Sequence, residues 1–211
     1  MQRAKISMEL AEAQGSILDA WADHVNLINI STPESTLFEW KPPRSFKNYQ
    51  LDMNQIRKNE ISEVFFRLDR GTHKLVYIRK KDLIFTIAAQ TAIQNQLLEA
   101  FLEYTIKRFN EMYDVGMILS FSHANPQLFS SFEEPLEEMF KNFKDQKLVK
   151  RVKVPCGVCH KNFDLIIKTK LIEESPSSPV PVVCLHEGHA LLCYIDKQFK
   201  ARASGKVNFA G

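Results

Sequence analysis

Two cysteines three positions apart, with a histidine directly behind them, stand in the stretch VPCGVCHKNF at residues 154–163. Cys-x-x-Cys-His is the attachment sequence of covalent haem, Cys-x-x-Cys alone is a redox dithiol, and a two-cysteine turn is half of a zinc site. Haem attachment requires an exported protein with His160 as axial ligand. A redox dithiol requires a strand that leads into a helix, because the helix N-terminus lowers the thiol pKa. The following residues, FDLIIKTKL, alternate like a strand, so the pattern favours zinc.

A second cluster of metal-binding residue types, VVCLHEGHALLC, occupies residues 182–193. Structural zinc takes four ligands in a tetrahedron, commonly as two pairs brought together by a hairpin. The second cluster offers three candidates for the remaining two positions, and a thiolate binds zinc more tightly than an imidazole does. The sequence therefore predicts a structural zinc ion held by Cys156, Cys159, Cys184 and His189, with His186 as the substitute ligand. Cys193 lies in an apolar run and is predicted to be a core residue.

The segments around these clusters predict a small β module. FDLIIKTKL (163–171) and HALLCYIDKQFKAR (189–202) have the pattern of strands, and the polar segment EESPSSPVP joins them as a loop. With its metal pairs, this region resembles a zinc ribbon of β-hairpin type, a family that includes nucleic-acid-binding and protein-binding modules.

Charge separates this module from the rest of the chain. Residues 144–206 hold twelve Lys and Arg against six Asp and Glu, a net +6 in a protein whose total is +3. We therefore predict a basic module at residues 144–211 and an α+β domain at residues 1–143. Nucleic acid is the alternative partner for the basic module, although VKRVK and KQFKAR lack interleaved aromatic residues for base stacking.

Composition indicates a globular protein with a substantial core, since 45% of the 211 residues are hydrophobic and 25% are charged. No apolar run approaches the roughly 18 residues that a membrane span needs. Glu9, Glu12 and Asp19 interrupt the segment where a signal peptide would be apolar. We expect a cytoplasmic protein, and reduced cysteines follow from that compartment.

The first sixty residues predict few elements. Apolar residues at helical spacing predict a helix over residues 5–28. STLFEW (35–40) has the pattern of a short strand, and LDMNQIRKN (51–59) that of a short helix.

Residues 63–143 predict a sheet covered by helices. EVFFRL (63–68), KLVYIRK (74–80) and LIFTIAA (83–89) are rich in β-branched and aromatic residues and are separated by turn residues, so we predict an antiparallel meander. A capping box at Thr91 and Gln94 predicts a helix from there to about Tyr113. Its expected sheet-facing residues are Leu97, Phe101, Ile106 and Phe109, and its expected solvent-facing residues are Glu99, Glu103, Lys107 and Glu111. MILSFSHANPQLFSSF is predicted to be a loop or short strand, followed by a helix in FEEPLEEMFKNF.

This meander and the helix QLLEAFLEYTIKRFNEMYD resemble the second part of a longin domain, or of the related roadblock arrangement. The shorter helix EEPLEEMFKNF follows in the family's order. Longin domains open with a β-hairpin and a helix, whereas the apparent helix at residues 5–28 departs from that order. The resemblance implies a platform for a small GTPase or another trafficking partner, with Arg67, Arg79 and Lys80 as its expected partner-binding residues. No catalytic motif stands in the sequence, so we predict an interaction protein that is not an enzyme.

Overall fold

A computed structural model of the protein describes residues 21–43, 53–120 and 126–207, without the side chains of 118–120. The chain divides into two compact units, residues 1–145 and 146–211. The predicted boundary after residue 143 lies two residues before this division. The predicted α+β class is confirmed, and its sheets are antiparallel. None of the helices in the described part of the chain is long and apolar enough to cross a membrane.

The first unit contains a five-stranded sheet with the strand order β2-β1-β5-β4-β3, in which every neighbouring pair is antiparallel. Its strands are β1 (Val25–Ser31), β2 (Thr36–Trp40), β3 (Phe65–Arg70), β4 (His73–Lys80) and β5 (Leu83–Gln90). Its α-helices are α1 (Met53–Arg57), α2 (Asn95–Met112), α3 (Val115–Ser120) and α4 (Glu133–Asn142). Short 3-10 helices span Trp21–His24, Pro126–Phe132 and Phe143–Gln146.

The core of the first unit lies between this sheet and α2. All seven residues of β1 and the first seven of β5 are buried, because both faces of these central strands are covered. The four residues predicted to face the sheet from α2 are all buried. Phe101 stacks on Phe140 with ring centroids 4.4 Å apart and meets Trp21 edge-on at 4.8 Å. Aromatic contacts of this kind fix the angle at which the helices pack.

Several predicted elements of the first unit differ from the structure. The helix predicted over residues 5–28 lies outside the described residues as far as position 20, and its last part is strand β1, which follows the 3-10 helix. Tertiary burial of the β-branched run VNLINIS outweighs its weak helical spacing. The capping box is also wrong, since Thr91 donates its backbone N–H to the Thr72 carbonyl at 3.2 Å and α2 begins at Asn95. The segment predicted as loop or strand contains α3 and a 3-10 helix.

The second unit has two small sheets around its own core. The pair β6 (Val149–Pro155) and β7 (Asn162–Lys168) forms one, and α5 (Thr169–Glu173) follows it. The strands β8 (Val180–His186), β9 (His189–Ile195) and β10 (Ala201–Lys206) form the other, in the order β10-β9-β8. Inward-facing apolar residues of β6, β7, α5, β8 and β9 form one buried cluster, and Ala201 of β10 packs against it. The strand predicted over residues 163–171 therefore ends in a helix, and the one predicted over 189–202 is two strands joined by a turn.

Candidate metal centre

The turn between β6 and β7 places the first two cysteines. Cys156 follows β6 directly, and its backbone N–H donates to the Lys161 carbonyl at 2.9 Å, while its carbonyl accepts from the His160 N–H at 3.0 Å. Both bonds close a tight turn that carries Cys159 back beside Cys156. The Val158 N–H points at the Cys156 sulfur at 3.4 Å. The local backbone therefore supplies hydrogen bonds to a thiolate at this position.

The hairpin between β8 and β9 places the two histidines. Its two loop residues, Glu187 and Gly188, both have positive φ, +47° and +79°. Positive φ at both positions is the geometry of a two-residue type I′ turn. His186 and His189 are the closing pair of this hairpin, directly opposite each other. Directly opposite residues share one face of a sheet, so the two imidazoles lie on the same side.

The two turns bring each cysteine beside one of the two histidines. Cys156 Sγ lies 3.7 Å from His189 Nδ1, and Cys159 Sγ lies 3.4 Å from His186 Nε2. The ligand atoms of Cys156, Cys159 and His189 all lie within 4.8 Å of one another. In a tetrahedral zinc site with bonds of about 2.3 Å to sulfur and 2.0–2.1 Å to nitrogen, a sulfur and a nitrogen ligand stand about 3.6 Å apart. The residues therefore fit a metal ion of this kind.

The surroundings of His186 hold its ring in place. Phe163 of β7 stacks on the imidazole with ring centroids 4.3 Å apart and an interplanar angle of 11°. Burial lowers the pKa of His186 below its ordinary value. A neutral imidazole is the form that binds a metal, so this position favours the ligating state.

The thiol of Cys156 is also prepared for ligation. Burial raises its pKa, but hydrogen bonds to the sulfur outweigh burial and bring the pKa to about 7. These hydrogen bonds come from the backbone of Cys159 and Val158 and from the side chains of Cys159 and His189. The thiolate is the metal ligand, and hydrogen bonds to the charged form favour it.

Glu187, in the turn itself, has its carboxylate within 4.8 Å of the ligand atoms of Cys159 and His186. Its oxygen accepts a hydrogen bond from Lys161 Nζ at 3.3 Å, and this contact is the main cause that lowers the pKa of the carboxyl. Lys161 lies just after the cysteine turn. The ion pair therefore links the two turns beside the four candidate ligands.

Cys184, predicted as a ligand, is not among the described residues whose ligand atoms lie within 4.8 Å of one another. It stands two residues before His186 on the same face of β8, and its Sγ lies 3.5 Å from the buried Cys193 Sγ. The hydrogen bond to Cys193 and burial raise the pKa of Cys184 well above its usual range. The prediction preferred Cys184 for its thiolate, but the hairpin closes at the two histidines and moves Cys184 toward the core. Gly188, between His186 and His189, was the signal that could have shown this, because glycine readily adopts the positive φ that two-residue hairpin turns require.

His160, which would be the axial ligand of a haem, is exposed and does not join the cluster. Its φ of +59° puts it in the left-handed region, where it closes the cysteine turn. His160, directly after the Cys-x-x-Cys pair, therefore supplies the left-handed backbone conformation at the end of this turn.

The predicted partner-binding residues of the first unit all have partners within the chain. Arg67 Nε donates to the buried Glu99 carboxylate at 2.7 Å, Arg79 donates to the Arg57 carbonyl at 3.0 Å, and Lys80 pairs with Glu63. Glu99 was predicted to face solvent, but only 2% of it is exposed. The Glu99 side chain is long enough to reach from α2 to Arg67 on the edge strand β3.

Lys80 and Glu63 also lie at a cavity of about 820 Å³ beside the β4–β5 turn and the end of α2. Its walls combine Leu83, Phe85 and Ile106 with acidic and basic side chains.

No model of a known protein family matches the sequence, and no curated protein matches it either.

Proposed function

We propose that the protein is a non-enzymatic interaction protein whose second unit is organised by one structural zinc ion bound to Cys156, Cys159, His186 and His189. The two sulfur–imidazole contacts, Cys156 with His189 and Cys159 with His186, carry this proposal. Structural zinc sites are closed by four protein ligands, whereas catalytic sites keep one position open. Two sulfurs and two imidazole nitrogens would fill the tetrahedron.

The arrangement of the second unit supports a zinc-ribbon-like module. Each metal pair comes from a tight turn between two antiparallel strands, β6–β7 for the cysteines and β8–β9 for the histidines. The test is the zinc content of the purified protein. We expect about one zinc per chain and no haem absorption band, and a metal-free protein that keeps its fold would reject the proposal.

The element order of the first unit supports a longin-like platform. A β-hairpin (β1–β2) and a helix (α1) precede the meander β3–β4–β5, and α2 and the shorter α4 follow. This is the order implied by the family resemblance, including an opening hairpin of which sequence patterns predicted only the second strand, β2. A small GTPase or another trafficking partner is therefore the proposed ligand of this unit.

The structure also changes which residues are suited to test that partner. Alanine at Arg67 would disturb an internal ion pair, so lost binding could follow from lost stability. Ile61 and Val64, beside the sheet edge β3, are 58% and 50% exposed. Charged residues at these positions change the surface without disturbing the core.

The experiment is capture of small GTPases loaded with GDP or with a GTP analogue, using wild type and the double variant Ile61→Lys/Val64→Lys. We expect capture in one nucleotide state that the double variant loses while its thermal stability is unchanged. Equal absence of capture in both states would reject the GTPase as partner.

Binding of nucleic acid by the basic module has less support. Several of its cations have partners: Arg151 lies 3.6 Å from Asp164, Lys161 pairs with Glu187, and Lys150 stands over the Phe199 ring at 3.9 Å. A steep fall of RNA or DNA affinity with salt concentration would favour this alternative.

A further inference from the structure

Strand β8 is an edge strand without charge. The edge strands in the described part of the chain are β2, β3, β6, β7, β8 and β10. Each of the other five carries at least one Lys, Arg, Asp or Glu, whereas β8 reads VPVVCLH. Charged side chains on edge strands prevent pairing with other chains. The free edge of β8 lacks that protection.

The outer face of this strand is also apolar. Val183 and Leu185 are 60% and 75% exposed, and their partners on β9 are the uncharged residues Leu192 and Ala190. Tyr194, the partner of Pro181, follows on the same face of β9. Tyr194 is itself 37% exposed. An apolar row of this kind beside an unpaired edge is a site for another strand.

The hairpin geometry determines which backbone groups are free. In a two-residue hairpin the closing pair, His186 and His189, exchanges hydrogen bonds, and every second residue does the same. The N–H and C=O groups of Val183 and Leu185 therefore point away from β9. Pro181, which has no N–H, occupies the next outward position, as expected for proline on an edge strand.

We propose that β8 pairs with β8 of a second copy of this chain, antiparallel and centred on Val183. The two Val183 residues then exchange hydrogen bonds. Each Leu185 N–H donates to the carbonyl of Pro181 in the other copy. The missing N–H of Pro181 removes two of the six possible bonds, so four remain. The two outer faces join into one apolar row.

A second copy is favoured over other occupants because β8 carries no charge. Pairing about a two-fold axis places like residues near each other, which is unfavourable for a charged strand and acceptable for an uncharged one. The exposed apolar side chains are too few for a standard face-to-face interface, which buries about 800 Å² on each partner. Backbone pairing supplies the remaining contacts. The proposal does not depend on the partner proposed for the first unit.

The test is sedimentation velocity of the zinc-loaded protein between about 5 and 500 µM, the range suited to an interface below the standard size. We expect a monomer–dimer equilibrium within this range. Val183→Lys places like charges at the axis, and Val183→Pro removes the outward N–H without touching the β8–β9 hydrogen bonds. Both variants should be monomeric and keep wild-type zinc content. The matched control is Leu128→Lys, a residue of the first unit that is 55% exposed, and it should still dimerise.

Amide hydrogen exchange in the wild type provides a test that needs no variant. The Val183 and Leu185 amides should become at least about tenfold more protected at the highest protein concentration, whereas the Cys184 amide, bonded to β9, should be protected at all concentrations. A wild type that stays monomeric overturns the proposal. So does a dimer that survives both Val183 substitutions, or one that Leu128→Lys also dissolves.

Discussion

Among single residues, His186 and Cys184 are the alternatives for the fourth ligand of the candidate metal centre. They lie two positions apart on one face of β8, and His186 Nε2 lies 3.4 Å from Cys159 Sγ. Cys184 instead has its sulfur 3.5 Å from that of Cys193. Hairpin closure thus places an imidazole beside the cysteine turn, although zinc would bind a thiolate more tightly.

Removal of His186 should therefore weaken zinc binding, and removal of Cys184 should not. Loss of outer-shell partners alone costs about 10–100-fold in metal affinity, so we expect His186→Ala to lose at least that much. Cys184→Ala should keep one zinc per chain with nearly wild-type affinity. Competition with a chromophoric chelator measures both. Loss of zinc from Cys184→Ala with retention in His186→Ala would reverse the assignment.

Asp196 organises the turn between β9 and β10. Its carboxylate accepts the backbone N–H groups of Gln198 and Lys200 at 2.9 and 2.8 Å and the Arg202 Nε at 2.6 Å. The Lys200 N–H is the main cause that holds the pKa of Asp196 below its ordinary value of 3.8, followed by Arg202. Because the folded pKa is the lower one, this carboxylate stabilises the fold fully above about pH 4 and loses its effect as pH falls through the folded pKa.

Asp196→Asn should lower the melting temperature of the second unit by an amount that is the same at pH 6 and pH 8, because the carboxylate is ionised at both. Thermal unfolding of the zinc-loaded protein at the two pH values is the measurement. Asp164→Asn, which removes a partly exposed pair with Arg151, is the control and should cost less than about 1 kcal/mol. A pH-dependent difference between pH 6 and 8 would show that another group is responsible.

At the scale of elements, α2 carries the core of the first unit. Phe101 is fully buried and contacts the rings of Trp21, Phe140 and Phe143. Phe101→Ala should lower the free energy of unfolding by about 3–5 kcal/mol, because it leaves a cavity among rings that cannot collapse. Lys107→Ala on the exposed side is the control, with little expected change. Denaturant unfolding of both variants provides the comparison, and a small effect of Phe101→Ala would place the core elsewhere.

The ion pair between α2 and β3 gives a second test at this scale. Glu99 is buried, and Arg67 is its half-exposed partner. Arg67→Ala should cost about 1–3 kcal/mol, since it deprives a buried carboxylate of its cation. Lys80→Ala, whose partner Glu63 is exposed, should cost at most about 1 kcal/mol. Equal melting temperatures for the two variants would mean that the burial of Glu99 does not make its ion pair more important for stability.

The elements also show what sequence patterns can and cannot determine. The meander and α2 were predictable because their periodicity and turn residues are local, and α2 differs only at its start. Strand β1 was not, because its residues are buried on both faces and this burial depends on β2 and β5, which are distant in sequence. In the same way, residue type and spacing were enough to predict that Cys156, Cys159 and His189 lie close together. Whether His186 or Cys184 completes the site depends on how the hairpin closes, which residue type and spacing do not determine.

For the whole molecule, we expect zinc binding and the buried core to stabilise the second unit together. The second unit has a buried cluster of its own, yet a domain of this size is only marginally stable without added constraints. Free energy of metal binding is then also free energy of folding. We expect chelation to raise amide exchange throughout residues 146–207 and to leave β1, β4, β5 and α2 unchanged.

Hydrogen exchange with and without chelator checks this expectation, and Cys156→Ser should reproduce the effect of the chelator. Cys193→Ala, which removes a thiol outside the candidate ligand set, is the matched control and should not raise exchange in the two turns. Loss of protection in both units on chelation would show that they share one folding unit.

X-ray absorption at the zinc edge of the zinc-loaded protein separates the possible ligand sets, because it distinguishes sulfur ligands from imidazole nitrogens. Four protein ligands from the two turns predict two sulfurs at about 2.3 Å and two nitrogens at about 2.0–2.1 Å. Three sulfurs and one nitrogen would mean that another thiol, such as Cys184, completes the site in place of one histidine. One imidazole in place of two would mean that the Glu187 carboxylate or water occupies the fourth position, and water would contradict a purely structural metal.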